Sequence, residues 1–173
     1  MMPVDEFPAP GPPVVLGRLG FDDLAEIVDV LSDAFRDYPV MRYVLDGAGP
    51  YDAGLRRLVE LFVSGRAYRN EPMIGLHASN GKIIGAATMT LPKPQEPPAS
   101  FLAVRESIWS ELGARARARY EAFAAATHRF TIPSPHHHLN MIGVRGTHQG
   151  RGLPGGCSRR CTRWRPPTAS RPV

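Results

Sequence analysis

The chain has 173 residues, 43% of them apolar and 21% charged, which suits one domain with one core and excludes wholesale disorder. Its two cysteines are too few for a disulfide scaffold, and no apolar run approaches the roughly 18 residues of a membrane span. Met1 to Glu6 carries no basic segment leading into an apolar stretch, so the expected address is the cytoplasm.

The net charge of +5 hints at a polyanion partner until it is divided along the chain. Residues 1–153 hold sixteen basic and sixteen acidic side chains, whereas residues 154–173 hold five arginines and no acid. That last segment also carries both cysteines and four prolines but no Leu, Ile, Phe or Met, so it cannot build a core.

Residues 1–13 are proline-rich and read as a loose lead-in. Residues 14–19 read as a first strand. Asp23, with Glu26 three residues on, resembles a capping box. Leu24, Ile27, Val28, Leu31 and Phe35 then fall on one helical face, and Tyr38-Pro39 ends the helix. A second amphipathic helix is predicted over 53–68, with Leu55, Leu58, Val59, Phe62 and Val63 inward. Residues 73–78 and 83–89 read as two strands around Asn80-Gly81, the favoured pair for a two-residue hairpin turn. Four prolines break 91–100, and a long helix follows over 101–128 with Leu102, Ile108, Trp109, Leu112, Tyr120 and Phe123 as its buried stripe. His137 to Val144 reads as a strand that runs directly into a loop, Arg145-Gly146-Thr147-His148-Gln149-Gly150-Arg151-Gly152.

A strand feeding a glycine-rich, basic loop is a means of gripping phosphate. Glycine tolerates positive φ and close backbone approach, and successive N–H groups form an anion-binding nest. Arg145 and Arg151 add long-range attraction. By itself a GxG loop is often only a turn.

The order strand, helix, helix, hairpin, then Ile142 to Leu153 resembles the GNAT family of acyl-CoA-dependent N-acetyltransferases. Gln149-Gly150-Arg151-Gly152 matches the first four positions of that family's Gln/Arg-x-x-Gly-x-Gly/Ala signature. The helix before the last strand looks like an insertion found in one branch of the family. The resemblance covers 14–153 and implies an α/β fold, a mixed and mostly antiparallel sheet flanked by helices. It implies transfer of an acetyl group from acetyl-CoA to a small-molecule or peptide amine, with no metal. By the same resemblance Ile142, Gly143 and Val144 would line the thioester and pantetheine, and Gln149, Gly150, Arg151 and Gly152 would cradle the pyrophosphate.

The chain departs from the family pattern in three places. Gly146 stands where the family often has proline, and Pro154 occupies the final Gly/Ala position, where it supplies no N–H. After Leu153 the pattern stops, and the Arg, Pro, Cys and Ser bias of 154–173 is what an out-of-frame reading yields. The expectation is therefore a GNAT-like domain whose C-terminal part is missing and whose catalysis is very poor, with a tail that does not pack and a strand edge open to self-association. A non-catalytic remnant is the first alternative, and a polyanion-associating arginine tail the second; membrane and nucleic acid are not expected partners.

Other candidates are weaker. His136, His137 and His138 alternate in direction along a strand and cannot converge on a metal. His138 and Asn140 share a face before the loop and are candidates for orienting an amine or a water. Tyr38, Met41 and Tyr43 lie where the family places acceptor-binding segments. Asp22, Asp23 and Glu26 are helix-start chemistry, and Cys157 and Cys161 are incidental thiols.

Overall fold

The fold was analysed in a computed structural model that describes residues 14–150 and 153. The lead-in, Arg151, Gly152 and the arginine-bearing tail with Cys157 and Cys161 lie outside the described residues.

The first strand, β1 (Val15–Leu19), leads through a single 3₁₀ turn into helix α1 (Leu24–Ala34). The capping differs from the expected box. The Asp23 carboxylate accepts from the Gly20 N–H behind it at 2.8 Å, and Glu26 instead accepts from the Ile83 N–H of the sheet at 3.0 Å. The helix starts after Asp23 as the box requires, but the 3₁₀ turn gives Asp23 a helical backbone (φ −90°, ψ −3°) instead of the extended one of a capping residue, so its side chain turns back to Gly20 and Glu26 reaches across to the sheet.

Helix α1 ends at Ala34, before the expected stop at Tyr38-Pro39, and the proline instead opens a short helix, α2 (Pro39–Leu45). Pro39 takes the first helical turn, where a missing N–H costs nothing. Helix α3 (Tyr51–Ala67) follows, with Leu55, Leu58, Val59 and Val63 buried.

The hairpin β2 (Met73–His77) and β3 (Ile83–Thr90) forms as expected, with a different turn. Gly81 N–H donates to the Ala78 carbonyl at 2.9 Å, so Ser79 and Asn80 are the central residues and Gly81 takes the left-handed position at φ +80°. The result is a turn followed by a glycine bulge, and the pairing shifts by one residue after Leu76.

Helix α4 (Ala99–His128) is interrupted at Gly113, whose φ of 87° and ψ of 160° are not helical. Phe101, Ile108, Trp109, Leu112 and Ala116 are buried, whereas Leu102, expected inward, is 37% exposed. Phe101 takes its place because it lies over Gly65 of α3, where a side chain would meet the ring at 3.2 Å. Beyond the break, Arg119 donates to the carbonyls of Tyr43 and Asp46 and to the Asp46 carboxylate, closing the C-terminal end of α2.

The last strand, β4 (His138–Val144), completes a sheet in the order β1-β2-β3-β4, with every pairing antiparallel. Its register places Met73, Ala86, Gly143 and Met141 on the face that packs against residues of α1 to α4. Ile74, Leu76, Ala87 and Met89 form a smaller cluster on the opposite face, with Leu139, Ile142 and Leu153 partly buried against it. No helix among the described residues is long and apolar enough to cross a membrane.

Candidate functional site

The site is built around β4. Thr88 pairs with Met141 and Met89 with Leu139, so Asn140 is the extra residue of a β-bulge. The bulge lets His138, Asn140 and Met141 all border one cavity on the helical side of the sheet. This cavity, of about 400 Å³, is walled by Phe35, Tyr38, Met41, Phe62, Tyr120 and Phe123. The grouping of His138 with Asn140 read from the sequence is therefore present, as are Tyr38 and Met41. Tyr43 is not: it lies nearly opposite Met41 around α2, is 48% exposed and sits beneath the Arg119 guanidinium.

Beyond the bulge the strand has one paired and one open edge among the described residues. Arg145 N–H donates to the Ile84 carbonyl at 2.8 Å, in register with Gly85↔Val144. In an antiparallel ladder hydrogen-bonded and non-hydrogen-bonded pairs alternate. Gly143 therefore pairs with Ala86 through its backbone, while Ile142 and Val144 turn their N–H and C=O groups toward the open edge. The Val144 carbonyl accepts from Gln149 Nε2 at 3.0 Å.

Gly143 has a different task from its neighbours. A Cβ placed there would stand 2.5 Å from the Ala34 Cβ and 3.2 Å from Leu31 Cδ2, so its bare Cα lets α1 lie directly on β4. It packs the strand against the helix, and the open edge belongs to Ile142 and Val144.

The loop is anchored at its start. Gly146 N–H donates to the Asp33 carboxylate of α1 at 2.7 Å, and a 3₁₀ turn over Gly146–His148 follows. Gln149 N–H is spent on the Gly146 carbonyl at 3.2 Å, and its side chain on Val144. Gly150 adopts φ +77° with open space where a side chain would be. Arg145 folds back to the Ile83 carbonyl at 3.2 Å and borders a polar cavity with Lys82 and His148. Of the four residues expected to hold pyrophosphate, Gln149 and Gly150 are thus placed at the end of the open edge, and Arg151 and Gly152 are outside the described residues.

Three residues join the site that the sequence did not single out. Arg66 Nη1 donates to Glu71 Oε2 at 2.8 Å and to Thr90 Oγ1 at 2.6 Å, and Thr90 Oγ1 reaches Asn140 Oδ1 at 2.9 Å. The Glu71 side chain is only 1% exposed. These residues come from α3, from the turn after it, from the end of β3 and from the bulge of β4. No sequence spacing relates them.

Of the histidine run only His138 lies in the strand, so the expected alternation does not extend to His136 and His137; the His136 and His138 rings meet edge to face, 6.0 Å apart. Among the described residues no group of three His, Cys, Asp or Glu is placed to hold a metal.

No protein-family model and no curated protein sequence matches the chain. Solved structures do. One is a histone acetyltransferase HPA2 and related acetyltransferase from Corynebacterium glutamicum, matched over 85% of this chain and 71% of that one at 22% identity and a TM-score of 0.56. The C-terminal condensation domain of Ebony, in complex with beta-alanyl-dopamine, matches over 87% and 69% at 14% identity and 0.53. A mosquito arylalkylamine N-acetyltransferase like 5b matches over 87% and 69% at 16% identity and 0.50. These likenesses establish the architecture: the chain has a GNAT-like fold, with a four-stranded antiparallel sheet flanked by helices.

Proposed function

From this GNAT-like fold, we propose that the chain is an N-acetyltransferase that moves the acetyl group of acetyl-CoA to an amine. One observation carries the proposal: the open edge of β4 presents the N–H and C=O groups of Ile142 and Val144 between an amine-sized cavity and a glycine loop. Such an edge is a template for an extended, amide-bearing chain, and pantetheine is one. The histone acetyltransferase and arylalkylamine N-acetyltransferase neighbours named above support the chemistry, and the open edge is consistent with it.

The residues present fit the arm of the co-substrate. Ile142 and Val144 would pair with its amides, Gln149 releasing the Val144 carbonyl as the arm enters. Gly150, with Arg151 and Gly152 after it, would turn the chain around the pyrophosphate, where a left-handed glycine allows close approach. Acetyl-CoA itself would supply an acyl thioester: a neutral amine forms the new C–N bond as the C–S bond breaks, and coenzyme A leaves as its thiol, taking up the proton that the attacking nitrogen gives up. The amine must first lose a proton, and His138 at the mouth of the cavity is the group able to accept it, directly or through water. Asn140 is excluded from that task because an amide has no basic lone pair and its carbonyl already accepts from Thr90.

The test is calorimetric titration of the full chain with coenzyme A, followed by thiol release from acetyl-CoA across a panel of amines. Val144→Pro removes the outward N–H but no bond to β3, a position where an edge strand tolerates proline. Coenzyme A should bind the parent chain and bind this variant at least tenfold more weakly, about 1.4 kcal/mol. Absence of binding to the parent, or equal affinity in the folded variant, would overturn the proposal.

A further inference from the structure

The cavity beside β4 has an unusual balance of groups. Among the described residues its walls are aromatic and aliphatic, its one permanent charge is the Arg66 guanidinium, and no carboxylate lines it. Glu71 is near in space but turned away into the protein, 1% exposed and bound to Arg66. An amine carrying two or more positive charges would find a cation and no counter-ion. An amine with a single nitrogen and an aromatic body would find rings for both its body and its cation.

The polar corner of the cavity is more specific. Arg66 can only donate, so at Thr90 Oγ1 it occupies a lone pair and leaves the hydroxyl proton for Asn140 Oδ1. The order of donors is therefore Arg66 to Thr90 to Asn140. With Oδ1 engaged by Thr90, Nδ2 is the polar group that the Asn140 amide keeps for a ligand, on a residue that borders the cavity. Glu71 holds Arg66 at the start of this sequence. The β-bulge at Asn140 is what brings this amide to the cavity side beside Met141. A donor held by three successive hydrogen bonds, on the wall of an aromatic cavity, selects an acceptor atom.

Building on the acetyltransferase function proposed above, we infer that the acceptor is an aromatic monoamine bearing a carbonyl or similar hydrogen-bond acceptor, and that Arg66 and Thr90 are positioning residues which aim Asn140 at it. Polyamines and other polycations are excluded by the lone Arg66 charge.

Three probes decide the matter on the coenzyme A-saturated full chain, read by calorimetry: phenylalaninamide, 2-phenylethylamine and spermidine. Phenylalaninamide should bind about tenfold more tightly than 2-phenylethylamine, which lacks the carbonyl, because one good hydrogen bond has that size. Spermidine should bind at least a further tenfold more weakly. Thr90→Val keeps the shape of the side chain but removes the hydroxyl, and should bring the two aromatic amines within about twofold of each other; Thr90→Ser should restore the gap. Spermidine binding as tightly as phenylalaninamide, an unaltered gap in Thr90→Val, or no amine binding by a chain that does bind coenzyme A would each overturn the inference. Should Thr90→Val fail to fold, the order of the three probes on the parent chain still decides. Loss of coenzyme A binding itself is a separate outcome that bears on the acetyltransferase proposal alone.

Discussion

Gly143→Ala is the substitution that asks most of this fold for the fewest added atoms. The new methyl carbon would lie 2.5 Å from the Ala34 Cβ, with Leu31 Cδ2 at 3.2 Å and Phe35 Cε2 at 3.6 Å. Carbon atoms in contact prefer about 3.5–4.0 Å, so β4 and α1 must separate by roughly 1 Å. The obstructing atom is a Cβ and cannot rotate away; relief requires a backbone shift. Overpacking of this kind costs about 1–3 kcal/mol. Replacing glycine within a strand returns roughly 0.5–1 kcal/mol through the unfolded state. A fixed Cβ at 2.5 Å puts the overpacking cost at the upper end of its range, about 2–3 kcal/mol, so the net loss is about 1–2.5 kcal/mol, a fall in Tm of roughly 2–10 °C for a chain of this size. Urea denaturation should show a lower midpoint with an unchanged slope. Adding Ala34→Gly, which removes the obstructing carbon, should recover part of the loss, because residues in contact do not act additively. A Gly143→Ala chain as stable as its parent, or a double variant whose losses simply sum, would refute the packing argument.

Two further outcomes follow from the core and from the surface. Leu58→Ala, at a side chain with no exposure in the helical core, should cost about 2–5 kcal/mol in urea denaturation, and a cost below 1 kcal/mol would refute that burial. Arg57 grips the Glu111 carboxylate through two nitrogens, at 2.7 and 2.6 Å, and this hydrogen bonding holds Glu111 below the ordinary glutamate range. A carboxylate depressed in the folded state stabilises above its unfolded pKa, and that contribution fades as pH falls through the folded value. The parent should therefore lose more stability than Arg57→Gln on acidification through and below the normal glutamate range, and parallel pH profiles would show the pair to be thermodynamically silent.

What the sequence made legible was whatever depends on periodicity. The inward faces of α1 and α3, the β2–β3 hairpin and the strand ending at Val144 all follow from spacings of 3.6 or 2.0, and these elements stand within a few residues of their expected bounds. Local chemistry was less transparent where two solutions compete. Asn80-Gly81 suits a two-residue turn and a glycine bulge equally, and the shift in pairing after Leu76 selects the second. Pro39 reads as a stop, yet it is also a favoured first residue of a helix, which is how α2 arises. In α4 the break at Gly113 and the small surface of Gly65 beneath it turned Phe101 inward in place of Leu102. At the site, His138 with Asn140 was readable as alternation along one strand. The path from Glu71 through Arg66 and Thr90 to Asn140 was not, because its members lie on different elements and meet only through the bulge.

The packing of Gly143 and the chemistry of the strand edge are one constraint. Strand pairing has a period of two, so a slip of β4 by one residue reverses both its side-chain faces and its backbone directions. Such a slip would turn the N–H groups of Ile142 and Val144 toward β3 and offer Gly143 and Arg145 to the open edge instead. It would also drive Ile142 or Val144 against Ala34, at a spot where even one methyl carbon comes within 2.5 Å. Only glycine fits there, and the strand has one glycine, so α1 selects the register. Arg145 N–H, on the Ile84 carbonyl, and Gly146 N–H, on the Asp33 carboxylate, hold that register at the strand's end. The residue that contributes no side chain to the site thereby decides which backbone groups the site presents. Its replacement should be felt at the open edge as well as in the melting curve.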